Sequence, residues 1–184
     1  QLVVRQLDLE PAGGNVDEAV ARALAELQAN GGGILQFGAG TYGITRTIEV
    51  PPRCVVRGEG ADRTCICGPG QAGPLPPWVM ITGDGDFVVE DLRLFAIYSP
   101  IAIAAPVFRP ATFEAAMKAP FAWGDTRARN VTVRRCRIEQ APQYNLPRRK
   151  DADPAWRKWL TDWIATSDGQ SHNGFVAIRV RGDG

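Results

Sequence analysis

The chain has 184 residues, 45% of them apolar and 22% charged, with a formal net charge of +1. That composition suits a soluble globular protein, and no apolar run approaches the roughly 18–20 residues that a membrane-spanning helix needs. No nucleic-acid recognition motif or interleaved aromatic platform accompanies the basic residues, so neither a membrane nor a nucleic acid is expected as a partner.

Residues 1–14 read as a leading strand or linker, and everything from 15 to 184 reads as one repetitive unit. Asn15-Val16-Asp17-Glu18 has the form of a capping box with Asn in the Ser/Thr place, ahead of an apolar stripe at Val16, Val20, Leu24 and Leu27. The pattern predicts an amphipathic helix over about 15–30, ending at Asn30-Gly31, where a left-handed cap is easy. From Gly31 to Gly68 short strands are punctuated by Gly31-Gly32-Gly33, Gly38-Ala39-Gly40, Pro51-Pro52 and Gly58-Glu59-Gly60. The chain turns roughly every ten residues without a hairpin dipeptide, which points to parallel stacking of successive coils. The first coil of such an array has no upstream neighbour, so the helix before it is the natural cap.

The helix, the glycine run and then GAGTYGITRTIEVPPRCVVRGEG together resemble the opening of the pectate-lyase-like right-handed parallel β-helix proteins. The resemblance covers residues 15–68 clearly and the strand pattern of 85–181 more loosely. The GDGVTDD run of that superfamily is replaced here by Glu10-Pro11-Ala12-Gly13-Gly14-Asn15-Val16-Asp17-Glu18. It implies an all-β fold: a right-handed, single-stranded parallel β-helix with an N-terminal capping helix and helical loop insertions. It also implies a secreted protein, extracellular or periplasmic, that acts on polysaccharides. The superfamily spans lyases, hydrolases, epimerases and phage tailspikes, so the activity expected is cleavage of glycosidic bonds by either hydrolysis or elimination. A non-catalytic glycan-binding or tailspike-like module is the alternative.

An internal repeat supports the coil pattern. Phe87, Val89, Leu92 and Leu94 align with Val131, Val133, Cys136 and Ile138 as an inward set, with a phase break marking a bend between two sheets. Glu90 then lies beside Arg134 and Asp91 beside Arg135, opposite charges on adjacent coils worth a few tenths of a kcal/mol each when exposed. A further strand follows each copy, at Ile101–Ile103 and at Phe175–Val180. Two excursions, about 105–129 and 141–173, are left to project. The second holds a predicted helix with Asp153 as N-cap, Pro154 at its first position and Trp156, Trp159, Leu160, Trp163 and Ile164 on one face. The chain stops at Arg181-Gly182-Asp183-Gly184 just after a strand, which reads as a partial solenoid.

Cys54, Cys65, Cys67 and Cys136 are expected to be small buried apolar residues, with a Cys54–Cys67 or Cys54–Cys65 bridge as the other arrangement. Residues 126–150 carry eight basic residues against one acid, a local +7 within a chain of net +1. One reading pairs these arginines with Glu90 and Asp91. The other has Arg134, Arg137, Arg148 and Arg149 contact carboxylates or sulfates of an acidic polysaccharide, which planar guanidinium groups bind in bidentate fashion. The tryptophans of the predicted helix suit docking, whereas Trp123 and Tyr144, beside the basic segment, are candidates for stacking on sugar. For catalysis the candidates are His172, the single histidine, together with Glu90 and Asp183. Hydrolysis needs two carboxyl groups flanking the bond. Elimination needs a base and a cation, and Ca²⁺ is the cofactor the resemblance implies for a lyase. No cofactor is required otherwise, and the oligomeric state is left open.

Overall fold

The computed structural model describes residues 3–7, 12–68, 79–96, 101–107, 127–140 and 176–180. They form strands in parallel sheets with one helix among the described residues. In chain order, β1 (Val4–Leu7) and β2 (Ala12–Asn15) precede α1 (Asp17–Ala29). Four triplets of strands follow. The first is β3 (Gly33–Phe37), β4 (Gly40–Gly43) and β5 (Ile48–Glu49); the second is β6 (Cys54–Arg57), β7 (Thr64–Gly68) and β8 (Val79–Thr82). The third is β9 (Phe87–Glu90), β10 (Arg93–Ala96) and β11 (Ile101–Ala105); the last is β12 (Val131–Arg134), β13 (Arg137–Gln140) and β14 (Val176–Val180).

Within each triplet every strand belongs to a different sheet. The first sheet runs β1-β3-β6-β9-β12, the second β2-β4-β7-β10-β13 and the third β5-β8-β11-β14. Among the described residues every strand pair is parallel, and none joins a strand to its immediate successor in the chain. This is why the glycine-rich turns lack hairpin signatures: they carry the chain around a corner rather than back along the same sheet.

Three inward stacks make the core. Leu35, Val56, Val89 and Val133 align in the first sheet, Tyr42, Ile66, Leu94 and Ile138 in the second, and Ile48, Ile81, Ile103 and Ile178 in the third. The early members are buried. Val133 and Ile138, in the last triplet, are only partly buried, and Ile178 is 44% exposed. The expected inward set is therefore confirmed in both copies, including the Val131–Phe87 and Ile138–Leu94 register.

The corners on either side of the first sheet use left-handed backbone. Arg53, Asp86 and Asn130, each just before a strand of that sheet, have φ of 63°, 53° and 52°, and Asp91 and Arg135, just after it, have 55° and 51°. Residues other than glycine rarely sit there. Here the corners are tied together: Asn130 Nδ2 donates to Asp86 Oδ1 at 2.6 Å, and Asp86 N donates to the Arg129 carbonyl at 2.8 Å. Gly58 marks a close approach, since a Cβ there would collide with the Asp91 carbonyl and the Thr64 and Leu92 side chains.

Helix α1 covers one end of the stacks with Val20, Ala23, Leu24 and Leu27 buried. Its C-terminus lies where expected, with Gly31 left-handed and Gly32 N donating to the Leu27 carbonyl at 2.8 Å. The start differs from the expected capping box. Asn15 stays in β2 and accepts from Asp17 N at 2.9 Å, while Val16 occupies the N-cap with no side-chain cap bond. Glu18 pairs with Arg46 instead of reaching back, and Asp17 accepts from Thr45 N at 3.0 Å, from Thr45 Oγ1 and from Arg46 N. The acid at the helix start thus joins the helix to the first triplet. Burial pushes the Asp17 carboxyl up, but the bonds from Thr45, Asn15 and Arg46 outweigh it and leave the pKa below its ordinary 3.8.

Leu94→Ala removes a fully buried side chain and is expected to cost about 3 kcal/mol in urea unfolding, whereas Ile138→Ala, its partly exposed counterpart, costs about half as much. Equal losses would mean that the last triplet is as well covered as the third.

Candidate functional site

The outward row of the first sheet reads Gln36, Arg57, Glu90, Arg134. Successive members are separated by 21, 33 and 44 residues in sequence, yet they are neighbours in space. Glu90 sits at the centre. Arg57 Nε donates to its Oε1 at 2.5 Å, Arg134 Nε to its Oε2 at 2.5 Å, and Arg135 Nη2 to the same Oε2 at 3.3 Å. Arg135 also donates from Nε and Nη2 to the two oxygens of Asp91 at 2.5 and 2.7 Å. The Glu90 side chain is 1% exposed, against 36%, 53% and 57% for Arg57, Arg134 and Arg135. Three guanidinium groups on two strands and a corner thus converge on one buried carboxylate and leave their outer edges toward solvent.

Burial pushes the Glu90 carboxyl up, and the hydrogen bonds and charges of Arg134 and Arg57 more than offset this, so its pKa falls below the ordinary 4.5. The Arg135 hydrogen bond, with its charge, likewise holds Asp91 below 3.8, and Arg135 is pushed up in return. This corrects the sequence expectation for Glu90. It is neither on the exposed surface nor poised for acid catalysis, because a general acid must hold a proton at working pH and a base or nucleophile must be reachable by substrate, whereas Glu90 is ionised and buried beneath three guanidinium groups. The expected Glu90–Arg134 and Asp91–Arg135 pairings both form, but Glu90 is buried rather than exposed.

Around the corner, the outward face of the second sheet carries a smaller cluster. Arg93 Nε donates to Glu139 Oε2 at 2.6 Å and Arg137 Nε to Glu139 Oε1 at 2.7 Å, with the Arg93 guanidinium 5.5 Å from the centre of the Phe95 ring. Partial burial raises the Glu139 carboxyl and the bonds from Arg93 and Arg137 outweigh it, so it too stays ionised. Arg137 is further 3.9 Å from Asp62. Arg134 and Arg137 therefore stand on two adjoining faces, separated by the Arg135 corner.

The four cysteines are free. Cys54 is buried as expected and Cys136 is partly buried against the core, but Cys65 and Cys67 are part-exposed, which corrects the reading of all four as core residues. Cys65 and Cys67 alternate with inward Thr64, Ile66 and Gly68 and so belong to the outer face.

His172 and Asp183 lie outside the described residues, as do Trp123, Tyr144, Arg148, Arg149, the tryptophans at 156, 159 and 163, and most of both excursions. Calcium wants several converging oxygen ligands. Among the described residues no group of three or more His, Cys, Asp or Glu side chains converges, and Glu90, Asp91 and Glu139 accept from arginines, so these residues do not fit that ion. Sequence reasoning missed Arg57 and Arg93 as members of the two clusters. Only the 44-residue spacing repeats as a visible motif; the 33 residues between Arg57 and Glu90 leave no fixed period to detect.

Glu90→Gln leaves three guanidinium groups facing a neutral amide. The cost expected is about 2–3 kcal/mol, below the usual loss for breaking a buried pair because the arginines are part-exposed. Since the folded pKa of Glu90 is lowered, its stabilisation is complete above the ordinary value of 4.5 and is lost as pH falls through the folded value. Urea titrations across that range should show a steeper acid loss for the native chain than for Glu90→Gln. Parallel curves would remove Glu90 from the account.

No family model, curated protein or solved structure matches this chain.

Proposed function

We propose that the chain is a right-handed parallel β-helix segment, capped at its N-terminal end by α1, from a secreted carbohydrate-active protein that binds an acidic polysaccharide. The rotation of successive strands through three parallel sheets supports the coil reading. The observation that carries the ligand class is the outward arginine row: Arg57, Arg134 and Arg135 anchor through Glu90 and Asp91 and keep half-exposed guanidinium groups, and Arg137 does so through Glu139. Rigidly held guanidinium groups bind carboxylates or sulfates with less ordering cost than free side chains do. Cleavage of the bound chain, by hydrolysis or elimination, is part of this reading and draws on residues other than Glu90, with His172 and Asp183 as the candidates.

A second reading, a non-catalytic glycan-binding or tailspike-like module, is favoured by one finding: Glu90, the catalytic candidate among the described residues, is buried and held by three arginines. Incubation with acidic and neutral polysaccharides separates the two. Reducing ends together with the ultraviolet absorbance of unsaturated uronates mark a lyase, and reducing ends alone mark a hydrolase. Binding without product supports the module, and no binding to any acidic glycan removes both. Arg137→Ala, which leaves the Glu90 clamp intact, is expected to weaken binding of a uronate or sulfated oligosaccharide about tenfold, the loss of one charge-assisted contact. Unchanged affinity would exclude this face.

A further inference from the structure

The central strand of the second sheet, β7, presents two thiols on one face. Cys65 and Cys67 alternate with buried Thr64, Ile66 and Gly68, project outward, and are part-exposed and unbridged. Residues two apart in a strand are about 6.6 Å apart with nearly parallel Cα–Cβ bonds. A disulfide requires Cβ atoms about 3.5–4.5 Å apart. Closing that gap would break β7, which is held on both sides, by β4 through Thr41–Cys65 and Gly43–Cys67 and by β10 through Arg93–Cys65 and Phe95–Cys67. The pair is therefore locked as a dithiol. Two metal–thiolate bonds of roughly 2.3 Å in line place sulfurs about 4.6 Å apart, a separation that two same-face side chains reach by leaning toward each other.

The surroundings select among metals. On the same outward rows, Cys65 lies between Thr41 and Arg93, and Cys67 between Gly43, which has no side chain, and Phe95. Zinc ordinarily takes four ligands, and among the described residues no third His, Cys, Asp or Glu completes a group with these two. Glu139, whose charge reaches Cys65, is held by Arg93 and Arg137. Soft thiolate donors select Cu(I), and one such ion between two thiolates carries a net charge of −1, opposite to the +1 of the neighbouring cluster of Arg93, Arg137 and Glu139.

We infer that Cys65 and Cys67 form a two-thiolate site for a soft monovalent d¹⁰ cation, with Cu(I) as the ion. The ion enters and stays as Cu(I); two S–H bonds break, two Cu–S bonds form, and both protons pass to solvent, with no change of oxidation state. Burial pushes both thiols up, the charges of Cys67 and Glu139 push Cys65 further, and Arg93 opposes this at both sulfurs. Because binding releases two protons, affinity rises with pH.

The test is an anaerobic titration of the reduced protein with Cu(I) against a colorimetric Cu(I) chelator. One ion per chain is expected, with sulfur-to-copper charge-transfer absorbance and an affinity that increases with pH. Cys65→Ser and Cys67→Ser should each lose more than about 100-fold, beyond the range that loss of a supporting partner produces. Cys54→Ser and Cys136→Ser should bind as the native chain does, and unchanged circular dichroism shows that each variant folds. No competition with the chelator, binding that survives either Cys65→Ser or Cys67→Ser, or mild oxidation that bridges the pair with the fold retained overturns the inference.

Discussion

In this protein no strand covers its own inner face. Leu35, Val56 and Val89 are buried because each lies beside the equivalent residue of the next triplet, and the same holds for Tyr42, Ile66 and Leu94 and for Ile48, Ile81 and Ile103. Since side chains alternate faces along a strand, a slip of one residue in any pair would turn a whole apolar row outward. Register between triplets is thus the constraint on which the core depends. At one end α1 supplies the missing neighbour with Val20, Leu24 and Leu27. At the other, Val133 and Ile138 are partly buried against the core and Ile178 is 44% exposed.

The polar outer face holds that register by different means. Glu90 binds Arg57 on one side and Arg134 on the other, so a single carboxylate spans three strands. Asp91–Arg135 and Asp86–Asn130 do the same at the two flanking corners, where left-handed backbone would otherwise be unfavourable. Each of these contacts is satisfied only in the native pairing. Their value lies less in net stability, which desolvation of a buried charge erodes, than in the cost of any pairing that strands Glu90 among arginines placed one residue away. The same arrangement shapes the proposed function. Arginines that are anchored through their inner nitrogens present their outer edges in fixed positions, and the carboxylate that anchors them is thereby withdrawn from chemistry.

The element pattern was legible from the chain because it rests on short-range rules. Glycine at 31 to 33 ends a helix whose apolar stripe is read from Val20, Leu24 and Leu27, and the copy of Phe87–Leu94 at Val131–Ile138 announces both its strands and the bend between them. Even the Glu90–Arg134 and Asp91–Arg135 pairings follow from that repeat. What stayed hidden depended on spacings that do not repeat. Arg57 reaches Glu90 across 33 residues and Arg134 across 44, so only the second lies on a period that sequence alignment can detect.

Sequence alone determined the helix, most of the strands and, along Phe87–Leu94 and its copy Val131–Ile138, the alternation of inward and outward residues, since these follow from local backbone preference and the two-residue period of a strand. Tertiary structure decided what each outward residue became. Glu90 and Val88 are on the same face of β9, yet Glu90 is buried and ionised because three guanidinium groups from other parts of the chain converge on it. Cys65 and Cys67 became surface thiols, although cysteine is by habit a core residue, because Thr64 and Ile66 took the inner positions of β7. Burial and charge state are properties of a neighbourhood, and here every neighbourhood is assembled from segments that are distant in the chain.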